Sequence, residues 1–289
     1  MSTGNKCQLQ KDEDELRSSA VMSAMPLGSV DPICTDGQER LRIRVHGDPK
    51  AGATLIYLPG VQGDWTMIGG FREAWGSSAC FVELTYPRTL TWTLADYASE
   101  IEALLEESGI QRGWLLGESF GSQILWELVR RCPHRWAGLI LAGGFVQYPT
   151  AALLATARYV CPRVSHRFLH RCLPAYLAYA HLRHADSPNL IAGARDFIAR
   201  RTVEDQRAMT HRLRLIAEND PRPVAAACRI PLHHLYGALD PIVPWLGVER
   251  WLKHHCPSLR GSRRIWLSDH TVLATAAKRS AEQIRQWMA

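Results

Sequence analysis

Residues 113–121 are Gly-Trp-Leu-Leu-Gly-Glu-Ser-Phe-Gly, and an apolar pattern with helical spacing continues over 120–131. The pattern G-x-S-x-G at 117–121 thus lies between a strand and a helix, where a nucleophile elbow has to be. Such a turn strains the serine backbone and needs small flanking residues. It lifts the oxygen of Ser119 above the sheet edge, beside a helix N-terminus that favours negative charge. The alternative is a glycine-flanked turn that only starts a helix.

Strands and helices alternate on both sides of this turn. Apolar or alternating stretches predict strands over 41–46, 54–58, 79–84, 136–142, 230–237 and 262–267. Helical spacing predicts helices over 94–108, 244–256 and 271–288. This alternation predicts an α/β fold with a mostly parallel central sheet and helices on both faces.

The alternation stops near residue 148 and resumes at 230. Residues 149–229 are helical by pattern, are divided by prolines and contain no clear strand, so we interpret them as an inserted helical cap. Residues 26–148 and 230–289 then form the α/β core. The polar residues 1–25 are predicted to be a disordered tail.

A serine hydroxyl is a weak nucleophile unless a base removes its proton. His270 is the histidine best placed for this, because it follows a predicted strand late in the chain and precedes the last helix. The acid that orients the histidine is expected between the two in chain order. Asp240 comes just after the strand 230–237 and is favoured. Asp269 is the rival, although it is adjacent to His270 and badly placed to reach the far side of the ring.

Three motifs together resemble the α/β-hydrolase superfamily: the elbow at 117–121, Gly-x-x-Asp around 237–244, and Asp-His at 269–270. The resemblance covers roughly residues 40–148 and 230–289. It implies an oxyanion hole made by the backbone amides of Val61 and Phe120. Members commonly have His-Gly where this chain has Pro59-Gly60, so Gln62 is the alternative to Val61. No cofactor and no metal are implied.

The resemblance further implies a serine hydrolase that cleaves an ester, thioester or related acyl bond through an acyl-enzyme. Two other classes of function stay open. One is an acyltransferase or lyase that uses the same three residues. The other is a non-catalytic protein that binds a ligand under the cap, although such a protein has no need of a base and an acid.

Charge is unevenly distributed along the 289 residues, whose formal net charge is +6. Residues 150–229 hold thirteen arginines and six acids, a net charge of +7. Arginine forks suit carboxylates and phosphates, which favours an anionic acyl substrate. The alternative is a solvated basic helix face. The segment has no interleaved aromatic platforms and no known nucleic-acid-binding motif, so no nucleic acid is expected.

Cysteines and apolar runs indicate the compartment. The eight cysteines form no CxxC pair and no zinc spacing, and residues 1–25 contain no secretory signal. These features predict reduced thiols in a cytoplasmic protein. No apolar run approaches the roughly 20 residues of a membrane span. The sequence does not determine the oligomeric state.

Overall fold

The structure is a computed structural model that describes residues 40–77, 79–164, 168, 171 and 188–289. The predicted disordered tail, residues 1–25, lies outside the described residues. So do the beginning of the predicted core, residues 26–39, and the middle of the predicted cap.

In the described residues, seven strands form one sheet in the order β1-β3-β2-β4-β5-β6-β7. All neighbouring pairs are parallel except β1 and β3, which are antiparallel. The mostly parallel sheet predicted from the alternation is therefore confirmed. The strands are β1 (Arg42–His46), β2 (Thr54–Leu58), β3 (Cys80–Thr85), β4 (Gly113–Glu118), β5 (Trp136–Ala142), β6 (Leu232–Gly237) and β7 (Leu259–Ile265).

Ten α-helices are found in the described residues. Two of them begin with a capping box, in which a threonine and the acid three residues later satisfy each other's backbone amides: Thr93 with Asp96, and Thr202 with Asp205. The helices are α1 (Gly69–Trp75), α2 (Leu94–Glu107), α3 (Gly121–Arg131), α4 (Ala151–Val160), α5 (Pro188–Ala199), α6 (Val203–Glu218), α7 (Arg222–Ala227), α8 (Trp245–His255), α9 (Val272–Thr275) and α10 (Ala277–Met288).

The core consists of two apolar clusters, one on each face of the sheet. Because side chains alternate across a strand, Ile56 and Leu58 of β2 belong to one cluster and Leu55 and Tyr57 to the other. The first cluster contains buried residues of α2 and α3, and the second contains buried residues of α1 and α10. Helices therefore cover both faces, as the sequence predicts.

Two predicted boundaries near the C-terminus were wrong. The last strand ends at Ile265 instead of 267, and Trp266 and Leu267 are 63% and 70% exposed. Their apolar character extended the predicted strand past its end, whereas Leu267 has a left-handed φ of 61° and turns the chain out of the sheet. The last helix is also interrupted, because α9 ends at Thr275 and α10 begins at Ala277.

Between β5 and β6 the described residues form the helices α4 to α7 and contain no strand. Gln206 of α6 donates two hydrogen bonds, to the carbonyls of Cys161 and Val164, and so holds the end of α4 against α6. In the part of the chain that the structure describes, no helix has the length and apolar character needed to cross a membrane.

Candidate active site

Ser119 occupies the sharp turn between β4 and α3, with a left-handed φ of 51°. Both glycines of the motif are required by close backbone contacts. A Cβ on Gly117 would lie 2.9 Å from the Cα of Ser122, and one on Gly121 would lie 2.1 Å from the carbonyl oxygen of Leu58. The strain and the small flanking residues expected from the sequence are both observed.

The structure brings Ser119, His270 and Asp240 together. The Nε2 atom of His270 lies 2.9 Å from the Oγ atom of Ser119, and its Nδ1 atom lies 2.8 Å from the Oδ2 atom of Asp240. The other carboxylate oxygen of Asp240 accepts hydrogen bonds from the backbone amides of Ile242 and Val243, at 2.8 and 2.9 Å. The turn after β6 therefore fixes the carboxylate with one oxygen directed at the ring.

Asp269, the rival acid, makes different contacts. Its Oδ1 atom accepts hydrogen bonds from the amide and hydroxyl of Thr271, both at 3.0 Å. It thus stabilises the start of the chain segment that leads into α9. Of the two acids, Asp240 is the one against the imidazole.

The loop after β2 packs against the elbow. A Cβ on Gly60 would lie 3.4 Å from the Cβ of Ser119, so Gly60 allows the loop to approach this closely. Among the residues that the structure describes, the amide N–H groups of Val61, Gln62 and Phe120 have no hydrogen-bond acceptor, so the choice of Val61 over Gln62 stays a prediction. The side chain of Gln62 is directed to the Met209 sulfur, 3.3 Å away. An oxyanion hole requires two such donors, and the expected pair takes one from this loop and the other from Phe120.

Opposing effects act on the pKa of His270. Burial lowers the pKa of its imidazole, whereas the hydrogen bond to Asp240 and the charges of Asp240, Glu118 and Asp269 raise it. The net result is a pKa above the ordinary value of 6.5. The imidazolium is therefore stabilised at this position, which suits a group that takes a proton and returns it.

Glu118 is a second buried acid at the elbow that the sequence reasoning missed. Its carboxylate accepts a hydrogen bond from the hydroxyl of Tyr57 at 2.5 Å. Burial raises the pKa of Glu118, and the bond from Tyr57 only partly opposes that rise. The signal was present, because an acid in a strand that is otherwise fully apolar needs a partner.

No protein-family model and no curated protein matches the chain. Solved structures do resemble it. An esterase from Thermogutta terrifontis is 19% identical, with a TM-score of 0.69 over 86% of this chain and 92% of that one. The enol-lactonase from Burkholderia xenovorans is 18% identical, with a TM-score of 0.67 over 86% and 96%. A bromoperoxidase from Bacillus anthracis is 16% identical, with a TM-score of 0.65 over 86% and 95%. At these identities the likeness shows the fold.

Proposed function

From the α/β-hydrolase fold of this chain as premise, we propose that it is a serine hydrolase that cleaves an ester, thioester or related acyl bond. One observation carries the proposal. The hydroxyl of Ser119, the imidazole of His270 and the carboxylate of Asp240 form a continuous hydrogen-bonded chain at the carboxyl end of the sheet. This is the arrangement that turns a serine into a nucleophile.

The proposed reaction has two halves. Ser119 attacks the acyl carbonyl while His270 takes its proton, and Asp240 holds the ring in the correct tautomer. The amides of Val61 and Phe120 stabilise the oxyanion, each worth about 2.7–4 kcal/mol in a typical site. His270 then protonates the leaving group. In the second half His270 activates water, which cleaves the acyl-enzyme and restores the serine.

We also propose that residues 149–229 act as a cap over this site. Two contacts with the loop after β2 support the placement. Arg201, which follows α5, forms an ion pair with Asp64, and Met209 of α6 receives the hydrogen bond from Gln62. The cap is thus attached beside Val61, where it can control which acyl group enters.

A fluorophosphonate probe with intact-mass readout tests the activated serine. We expect a single adduct on the wild type and none on Ser119→Ala. Ser99→Ala is the matched control, because Ser99 lies exposed on α2, and it should label like the wild type. A folded wild type that takes no adduct would overturn the proposal in favour of a ligand-binding protein. Methanol offered as a competing nucleophile then separates a hydrolase from an acyltransferase.

An anionic acyl substrate is the finer proposal, supported by a groove of about 530 Å³ between α4 and α6. Arg158, Arg163 and Arg214 line it together with His211 and Tyr159, and no acid lines it among the residues that the structure describes. Arg214 also lies 3.6 Å from Glu218, but this ion pair is long and exposed, so its guanidinium remains suited to an organic anion.

The substrate preference can be measured with matched esters. We expect the half-ester of a dicarboxylic acid to have a higher kcat/KM than its neutral diester. Arg158→Gln and Arg214→Gln should each reduce this preference by about two- to five-fold, since exposed ion pairs are weak. Arg250→Gln, at an exposed position on α8, is the control and should leave it unchanged. Equal rates for both esters would refute an anionic substrate.

A further inference from the structure

Arg212 of α6 is a buried cation with an unusual set of partners. Its side chain is among the largest that are almost fully buried, at 2% exposure. No carboxylate in the described part of the chain pairs with it, although seven other arginines there form ion pairs within 3 Å. Removing a guanidinium from water without an opposite charge is costly, so its hydrogen bonds have to compensate for the lost hydration.

Arg212 donates hydrogen bonds to two backbone carbonyls and to one tyrosine hydroxyl. The Nη1 atom of Arg212 donates to the carbonyl of Val61 at 2.8 Å, and the Nη2 atom donates to the carbonyl of Pro87 at 2.8 Å. The Nε atom lies 3.4 Å from the hydroxyl of Tyr97. The planar guanidinium therefore joins the loop after β2 to the loop after β3.

The loop it holds is the one that carries the proposed oxyanion amide. Residues 60–63 form a tight turn, closed by a hydrogen bond of 2.9 Å from the Gly63 amide to the Gly60 carbonyl. The carbonyl of Gly63 accepts a hydrogen bond of 2.8 Å from the amide of Tyr86. Gly63 has a φ of +78°, and a Cβ there would lie 2.5 Å from the Nη1 atom of Arg212. The turn is thus shaped to receive the guanidinium.

We propose that Arg212 is a positioning residue that fixes the oxyanion hole from the cap. It holds the backbone of Val61 through the carbonyl oxygen of that residue. The amide N–H of Val61 is the donor proposed to meet the developing negative charge. This inference rests on the proposed hydrolase function. The physical reason is geometric: an oxyanion donor contributes only when it lies within a few tenths of an ångström of its place, so the loop that carries it needs rigid support.

Arg212→Met and Arg212→Lys test the inference, with Arg207→Met, exposed on the same helix, as the matched control. Each protein is first titrated with the fluorophosphonate probe, so that rates refer to competent sites. For Arg212→Met we expect kcat per titrated site to fall by about 10- to 100-fold, with KM changed less than three-fold. Arg212→Lys keeps a cation that can reach one carbonyl and should recover part of the loss. Arg207→Met should match the wild type.

A second measurement distinguishes a role of Arg212 in placing the oxyanion donor from a role in the stability of the fold alone. A boronic acid whose tetrahedral adduct places an oxygen in the oxyanion hole should bind Arg212→Met more weakly, by the same factor as kcat/KM falls. The pH at which activity is half-maximal should stay unchanged, because His270 and Asp240 are untouched. Unchanged kcat per titrated site, or a loss confined to KM, overturns the inference while leaving the hydrolase intact. If Arg212→Met does not fold, Arg212→Lys decides by the same two readouts. A wild type that takes no probe overturns the hydrolase proposal itself and the inference with it.

Discussion

Replacing Asp240 with asparagine is expected to lower kcat by about 10⁴-fold with little change in KM. The Oδ1 atom of Asp240 accepts from the amides of Ile242 and Val243, which fixes the side chain in its present orientation. In the asparagine variant the oxygen therefore stays with those two amides, and the NH₂ group faces the Nδ1 atom of His270. Nδ1 then has to accept a hydrogen bond, which leaves the proton on Nε2. That nitrogen can no longer take the proton of Ser119.

The pH dependence of kcat/KM provides an independent test of the same residue. Since neutral His270 is the base, kcat/KM should rise with pH through the pKa of His270. For the wild type, the pH at the midpoint of this rise should lie above the ordinary value of 6.5. Asp240 is the main group that raises this pKa, against the lowering effect of burial. In the residual activity of Asp240→Asn, the midpoint of this rise should therefore lie at a lower pH than in the wild type.

Asp269→Asn is the control for both measurements. Its asparagine keeps an oxygen that can accept the hydrogen bonds from Thr271, so we expect less than a ten-fold loss of kcat. The opposite ranking, with Asp269→Asn the more damaged enzyme, would assign the orienting acid to the rival residue and contradict our interpretation.

Gly121→Ala is expected to disrupt the site by a steric route. The added Cβ would lie 2.1 Å from the carbonyl oxygen of Leu58 and 2.9 Å from that of Pro59, and both belong to backbone that cannot rotate away. Helix α3 has to move away from β2, and the elbow moves with it. We expect the free energy of unfolding to fall by about 3 kcal/mol or more, and probe labelling at Ser119 to be lost.

Gly69→Ala is the matched control for this substitution. Gly69 has helical φ and ψ of −53° and −43°, and a Cβ there would have no atom within 4 Å. An alanine should therefore leave the protein unchanged or stabilise it by about 0.4–1 kcal/mol. Chemical denaturation with both variants measures the difference. If Gly121→Ala and Gly69→Ala had equal denaturation midpoints, α3 would have room beside β2 for an extra methyl group, and the steric explanation would be wrong.

Much of the candidate site could be read from local sequence. The elbow was recognisable because its strain, its glycines and its flanking strand and helix involve residues close together in the chain. His270 and Asp240 were distinguishable by their positions after strands, because the carboxyl ends of parallel strands lie at one edge of a sheet. The ends of the strands were predicted less accurately. At Trp266 and Leu267 the apolar pattern predicted that the strand continues, but both residues lie beyond the end of β7 and are exposed.

The sequence by itself determined the α/β fold class, the strand-turn-helix at Ser119 and the order of serine, acid and base along the chain. Only the tertiary structure decided the strand order, the contact of Asp240 rather than Asp269 with the imidazole, the pairing of Glu118 with Tyr57, and the support of Val61 by Arg212. The physical reason is the range of the interactions. Propensity, periodicity and turn geometry act between near neighbours, whereas these contacts join residues 30 to 151 positions apart.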